Sequence, residues 1–359
     1  MKKTIVLIFL GDFFYDARCI NMANSIINKG YKLFIIDVGK LKNKYRGSKI
    51  FHIKINSVGF LRYALFYQKA KKIIQKLNPN LIIASDLYSL PSAFSLKNSE
   101  VIYDSREIYC YHAGMINNKL KQFFWYLIEK KFINKTKSVL VTADGDQLIL
   151  NKIYKNLNII KIYNYPSIKF KNSNKKILRK KLNLFKDEKI FLYQGVLHPG
   201  RGIKNMIYLL KYFLEAHAVI IGEGPYKKNI INFIKKYNLI NRVHILGKIE
   251  YNKLLAFTSG ADIGFSLIKP ISKSYEQALP NKLFEYALCE VPIICSDLIE
   301  MNNIIVKYKI GFAVNCDDYD KQKKAIEKIF NNKKYFFKNL KRMELTWENQ
   351  ENRFLQAIN

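Results

Sequence analysis

Cysteine is scarce and unpatterned in this sequence. The five thiols, Cys19, Cys110, Cys289, Cys295 and Cys316, include no C-x-x-C pair. An odd count without pairing argues against a disulfide framework or a structural zinc site, and for single buried thiols in a reducing compartment. Long apolar runs are missing too. No stretch approaches the roughly 18 to 20 residues that a membrane-spanning helix needs. The N-terminal TIVLIFL is short for a signal-peptide core, and the GDFFYDAR after it is charged and bulky, with no small-residue cleavage site. It reads as a buried first strand, and the protein is expected to be cytoplasmic. There is no repeat of solenoid period and no low-complexity tract. Acidic residues are few: 28 Asp and Glu face 61 Lys and Arg, a formal net charge of +33. Such an excess attracts anionic partners, namely membrane lipid, nucleic acid or an acidic substrate. Abundant Lys, Asn, Ile and Tyr also fit codon drift in an A- and T-rich genome, and at least half of the excess is assigned to that drift.

What is present is 359 residues, about half of them apolar or aromatic, enough for two cores. Strand-like and helix-like segments alternate throughout, the pattern of parallel sheets covered by helices. The fold class expected is α/β. The first half offers the strands TIVLIFL, YKLFIID, LIIASD, VIYDS and SVLVTAD. Polar residues stand at their C-terminal ends (Asp37, Asp86, Asp104 and Asp144), the edge where open parallel sheets bind ligands. From Asn164 to about Lys189 the pattern breaks into a polar segment with Pro166, an expected linker. A second alternating unit then runs from KIFLYQG to VPIICSD and closes by about Phe330. The tail beyond it looks helical.

Chemistry concentrates in the second half. In LPNKLFEYALCEVPIICSD, Pro280 sets an entry turn and NKLFEYAL reads as a helix. Asn281 and Lys282 fall in its first turn, where free N–H groups and the helix dipole favour a phosphate. Glu285 lies on the face of Lys282 and suits two ribose hydroxyls. An ordinary amphipathic helix with a surface Lys–Glu pair fits the spacing equally well. In YQGVLHPGRGI, the glycines Gly195, Gly200 and Gly202 permit close backbone approach, and Arg201 suits phosphate oxygens; a tight surface turn is the plainer reading. IIGEGP adds Gly222 and Gly224 at a strand end. In the first half, YDSREIY places Asp104, Arg106 and Glu107 beside the loop GDFFYDAR. Those groups either face a cleft or form an intradomain ion pair. Asp144-Gly-Asp146 has the D-x-D spacing of a divalent-metal site, but it opens a helix, where a carboxylate serves as an N-cap. The segments Gly59–Leu77 and Asn118–Lys135 mix aromatics with lysine at helical spacing. They read either as interfacial helices or as core aromatics with a solvated lysine face.

Four of these motifs in order, YQGVLHPGRGI, IIGEGP, VHILGKIEYNKLLAFTSGADIGFSL and LPNKLFEYALCEVPIICSD, resemble the retaining GT-B glycosyltransferases often called family 4, the glycosyl transferases group 1. YDARCINMANSIINKGYKL and YDSREIY resemble the same group more loosely. The resemblance implies two Rossmann-like doubly wound domains facing an interdomain cleft. Residues 1–165 would form the acceptor domain, 166–335 the nucleotide-sugar donor domain, and 336–359 a C-terminal helix packing back on the first. It implies hexosyl or related transfer from a nucleoside-diphosphate sugar to an acceptor hydroxyl, with retention. Arg201 and Lys282 would contact the diphosphate and Glu285 the ribose. Gly11 would let the first loop approach the same diphosphate. Gly195, Gly222 and Asn281 complete the expected donor site, and Arg106 and Glu107 join Arg201 and Lys282 as catalytic candidates. Two positions depart from the family: Val196 stands where relatives carry Arg, and Gln277 where they carry Glu. Where Arg106 stands, relatives often show His; Arg106 is no base near neutral pH, and if that position touches the sugar it does so as a hydrogen-bond donor. His112 is off register. No essential metal or other cofactor is expected. The partners implied are the donor, a glycan or lipid-linked acceptor of bacterial surface-glycan assembly, and an anionic membrane surface to which the protein is peripheral. Two rivals remain: a catalytically silent nucleotide-binding partner subunit, and a basic nucleic-acid-binding protein, for which no recognised module exists.

Overall fold

The computed structural model describes residues 2–109, 118–170, 175–332, 335–341 and 343–359. His112 and Cys110 lie outside the described residues. The chain divides into two compact units, Met1–Tyr163 with Gln350–Asn359, and Asn164–Asn349.

The first unit runs β1 (Thr4–Ile8), α1 (Ala17–Asn28), β2 (Lys32–Asp37), β3 (Lys44–Tyr45), β4 (Ser48–His52), α2 (Gly59–Leu77), β5 (Leu81–Ala84), α3 (Leu90–Ala93), β6 (Glu100–Asp104), α4 (Lys119–Ile133), β7 (Ser138–Val141), α5 (Asp144–Ile153) and β8 (Ile159–Lys161). Its sheet has the order β3-β4-β2-β1-β5-β6-β7-β8, parallel except for the β3–β4 pair. β1, β5 and β7 are apolar and almost wholly buried, as strands covered on both faces must be. Order reverses at β1, which pairs with β2 on one side and β5 on the other. Asp16 caps α1 by accepting from the Cys19 N–H at 2.8 Å.

The second unit runs α6 (Ile177–Leu182), β9 (Lys189–Gln194), α7 (Ile203–Leu209), β10 (Ala216–Ile221), α8 (Lys227–Lys236), β11 (Val243–Gly247), α9 (Tyr251–Thr258), β12 (Ile263–Ser266), α10 (Lys273–Glu276), α11 (Asn281–Leu288), β13 (Ile293–Ser296), α12 (Ile299–Tyr308), β14 (Gly311–Val314) and α13 (Tyr319–Asn331). Its sheet is parallel throughout, in the order β11-β10-β9-β12-β13-β14. Order reverses between β9 and β12, so the ligand crevice of this unit belongs outside the C-terminal ends of those two strands.

Three expectations change. The polar stretch taken as a linker contains α6, because Arg179 reaches the Asp262 carboxylate at 2.5 Å and the Glu188 carbonyl at 2.6 Å. The tail is not one helix over 336–359. Phe337 has φ 67°, a left-handed conformation that stops a helix, and among the described residues of the tail only α14 (Trp347–Ile358) is regular. Its last residues fasten to the first unit: Gln350 accepts from the Tyr163 N–H at 2.9 Å and donates to the Tyr163 carbonyl at 2.7 Å. Finally, neither aspartate of the D-x-D caps α5. The N-cap is Ala143. Asp146 accepts from the Thr142 hydroxyl at 2.8 Å, and Asp144 is bound by Lys161 and Tyr163.

Candidate functional site

In the second unit, the end of β9, the turn after β10 and the start of α11 converge. Pro280, extended at φ −77° and ψ 148°, precedes α11 and leaves its first turn without a side-chain cap. Lys282 and Glu285 are 6% and 5% exposed, so they are not the solvated pair that spacing alone allows. The Lys282 ammonium sits 3.7 Å from the centroid of the Tyr193 ring. Among the described residues no hydrogen-bond acceptor reaches its Nζ, although the atom is buried. Burial, with the Arg201 guanidinium nearby, holds this amine well below its ordinary pKa. A buried, unpartnered cation is costly, and it gains most from an arriving anion.

Arg201 is the second cation. Its guanidinium lies 4.5 Å over the Tyr275 ring, and its buried Nε also lacks a hydrogen-bond partner. Gly195, at φ 131°, stands beside Lys282: a Cβ built there would lie 3.6 Å from Nζ. Gly222, at φ 145°, packs its backbone on that of Gly195, where a Cβ would come within 1.9 Å of the Gly195 carbonyl oxygen. Asn281 is the first residue of α11, next to Lys282. Five expected donor residues, Gly195, Arg201, Gly222, Lys282 and Glu285, are therefore neighbours, with Asn281 adjoining.

Glu285 is buried, and its carboxyl is pushed up to about 7 by that burial, against the opposing pull of Gln194 and Lys282. Gln194 donates its amide to Glu285, and the Thr258 hydroxyl donates to the Gln194 carbonyl oxygen at 2.8 Å. Thr258 and Gln194 thus orient the carboxylate. Sequence reading missed both, and Tyr193 and Tyr275 as aromatic beds for the two cations. The one available signal was the polar Gln194 directly after the apolar run 190–193 of β9. At the departures from the family, the Val196 side chain is exposed while its carbonyl accepts from the Tyr193 hydroxyl at 2.8 Å; Gln277 ends α10, directly after Tyr275 and Glu276.

Gly11, Arg106 and Glu107 belong to the first unit. Arg106 is fully engaged there. Nε donates to Asp104 at 3.0 Å, Nη1 to Asp16 at 2.5 Å, and Nη2 meets the Cys19 sulfur at 2.9 Å. The intradomain ion pair is thus the observed state, made with Asp16 and Asp104. This geometry braces the loop after β1 and leaves the guanidinium little to offer a sugar. Burial would raise the Asp104 carboxyl, but Arg18 and Arg106 outweigh it and hold it low. Asp37 accepts from the Phe13 N–H at 3.0 Å and Asp86 from the Leu10 N–H at 2.6 Å, so these strand-end carboxylates pin the same loop. Gly11 lies against Phe9, whose ring Arg106 covers at 5.6 Å. Glu107 is half-buried, and its carbonyl accepts from Ser105 at 3.2 Å.

Residues 174–345, which contain the whole of this cation-lined site, match the family described as Glycosyl transferases group 1. The match takes in just under half of the chain, 172 of its 359 residues, and lies within its second unit. A curated relative, an uncharacterized glycosyltransferase of Methanocaldococcus jannaschii, is 22% identical over 245 residues, 64% of this chain and 58% of its own. The chain therefore spans a little over half the length of that relative. Sucrose-phosphate synthase of Thermosynechococcus elongatus matches at TM-score 0.82 and 17% identity, covering 99% of this chain and 98% of that one. Anabaena HepE, solved with UDP-glucose, matches at TM-score 0.73 and 13% identity, covering 99% of each chain. At these identities the likeness is one of fold: two Rossmann-like parallel-sheet domains of the GT-B class.

Proposed function

We propose that this chain is a glycosyltransferase of group 1 that moves a sugar from a nucleoside-diphosphate sugar to an acceptor hydroxyl. The observation that carries the reading is the buried, unpartnered Lys282 ammonium at the uncapped first turn of α11, with Arg201 beside it. Two cations and a helix N-terminus make a site for a diphosphate. As the bond from the sugar carbon to the donor oxygen breaks, its electron pair goes to the diphosphate. The negative charge grows where Lys282 and Arg201 already stand, so stabilisation is built in before the reaction. Glu285, held by Gln194, takes the ribose hydroxyls. Positive charge comes from side chains here, so turnover should survive chelation of divalent metal. Retention of configuration and a surface-glycan acceptor on a lipid carrier, at the cytoplasmic face of the membrane, complete the proposal; the excess of basic residues supports the last part.

The test is release of nucleoside diphosphate from a panel of nucleotide sugars, UDP-glucose first because HepE was solved with it. Lys282→Ala and Arg201→Ala are each expected to lower kcat by about 10²- to 10³-fold, the loss typical of removing one preorganised charge donor. Equal turnover in wild type and both variants would overturn the assignment of the diphosphate site. No turnover with any donor, despite tight nucleotide binding, would favour the silent partner subunit.

A further inference from the structure

The second unit's site leaves one feature of the first unit unused. In α4, Leu120, Phe123, Phe124 and Leu127 recur at positions i, i+3, i+4 and i+7, the spacing of a helix face meant for burial. Yet they are exposed, Leu120 by 84% and Phe123 by 59%. The core face of the same helix is made by Trp125, Glu129 and Ile133 instead. Phe60 at the start of α2, itself 65% exposed, meets Phe124 with ring centroids 5.4 Å apart. Val58 and Leu61 extend the exposed apolar surface on α2. Two helices thus present one contiguous apolar patch to solvent, and patches of this kind mark interaction sites. Of the two readings that the sequence allowed, core aromatics hold for Trp125 and Phe66, while Phe60, Phe123 and Phe124 lie outside the core.

The surroundings of the patch are basic. α2 contains no acidic residue, and its exposed side chains include Arg62, Lys69, Lys72 and Lys76. On α4, Lys119, Lys121, Lys130 and Lys131 are exposed. Its one acid, Glu129, is buried under the Tyr103 and Tyr154 hydroxyls at 2.7 and 2.9 Å. Apolar groups flanked by cations, with no exposed acid on either helix, match the layered chemistry of an anionic bilayer: headgroup phosphates outside, acyl chains beneath. We infer that the Phe60–Phe123–Leu127 face of the first unit inserts into the headgroup region of an anionic membrane. This does not rest on the glycosyl-transfer reading, because binding to lipid is read without turnover.

The experiment is co-sedimentation of the full chain with vesicles of phosphatidylcholine alone and of phosphatidylcholine with phosphatidylglycerol. Wild type is compared with Phe123→Ser/Leu127→Ser and with Phe60→Ser, which leave every charge in place. Exposed positions tolerate such changes, and an unaltered melting temperature verifies folding. Wild type is expected to bind anionic vesicles at least tenfold more tightly than neutral ones, and the double variant to lose about tenfold of that affinity. Equal binding by wild type and variants would mean adsorption by net charge alone, and would overturn the inference. So would failure of wild type to prefer anionic vesicles. A concentration-dependent dimer of wild type that the double variant abolishes would assign the patch to a second copy, and would overturn it too.

Discussion

Lys282 and Glu285 lie one helical turn apart, and burial shifts both toward their neutral forms. A nucleotide would reverse both shifts. A diphosphate recharges the Lys282 amine, so binding takes up a proton and weakens as pH rises past the depressed pKa of that amine. Ribose hydroxyls favour the Glu285 carboxylate, so binding releases a proton and strengthens as pH rises through about 7. Nucleotide affinity should therefore pass through a maximum, and titration calorimetry across pH checks it. Glu285→Gln should remove the acidic limb and keep the alkaline one. A second buried acid, Glu129, tests burial away from the site. Desolvation raises its carboxyl to about 7, while the hydrogen bonds from Tyr103 and Tyr154 oppose the shift. The folded protein then holds this proton more tightly than the unfolded chain does. The stabilisation is complete below the unfolded value near 4.5 and is lost as pH rises to about 7, by roughly 3 kcal/mol. Denaturant melts of Glu129→Gln should show a flatter pH profile and greater stability than wild type at pH 8.

At the scale of the element, the site depends on two strand ends that touch through backbone. Gly222 on Gly195 leaves no room for a side chain, and its φ of 145° adds strain for any other residue. Gly222→Ala should destabilise the protein by about 2 kcal/mol or more and weaken nucleotide binding, measured by denaturant melts and titration. Such turns are legible in sequence because glycine is required where backbones meet. β9, β10, β12 and β13 were legible for a similar reason, as short apolar runs ending in polar or glycine residues. β4 (SKIFH), β8 (IIK) and β14 (GFAV) were not, being short and partly exposed, so their pattern is weak. α6 hid in a polar segment because an ion pair 83 residues distant holds it. Gln194 was invisible as an orienting group because Glu285 lies 91 residues away. In the first unit, Arg106 stood correctly at a strand end, but Asp16, from a loop 90 residues earlier, claims its guanidinium. Spacing within one helix pointed to the candidate donor residues; partners from distant elements settled which charges remain free.

The whole molecule joins two parallel-sheet units, each with its own core, under a net charge of +33. Charge of that size raises encounter rates with any polyanion, but it does not choose among them. The choice is made where a cation is buried and unpartnered, and among the candidates read from sequence that place is the turn at Lys282. The most direct test is a thermal-shift panel of nucleoside diphosphates and nucleotide sugars on wild type and Glu285→Ala. A ligand that binds only the folded protein raises its melting temperature by mass action. The account predicts that one nucleotide family stabilises wild type, with the shift lost in Glu285→Ala. No shift from any nucleotide at millimolar concentration, or the same shift in the variant, would contradict a donor site at the start of α11.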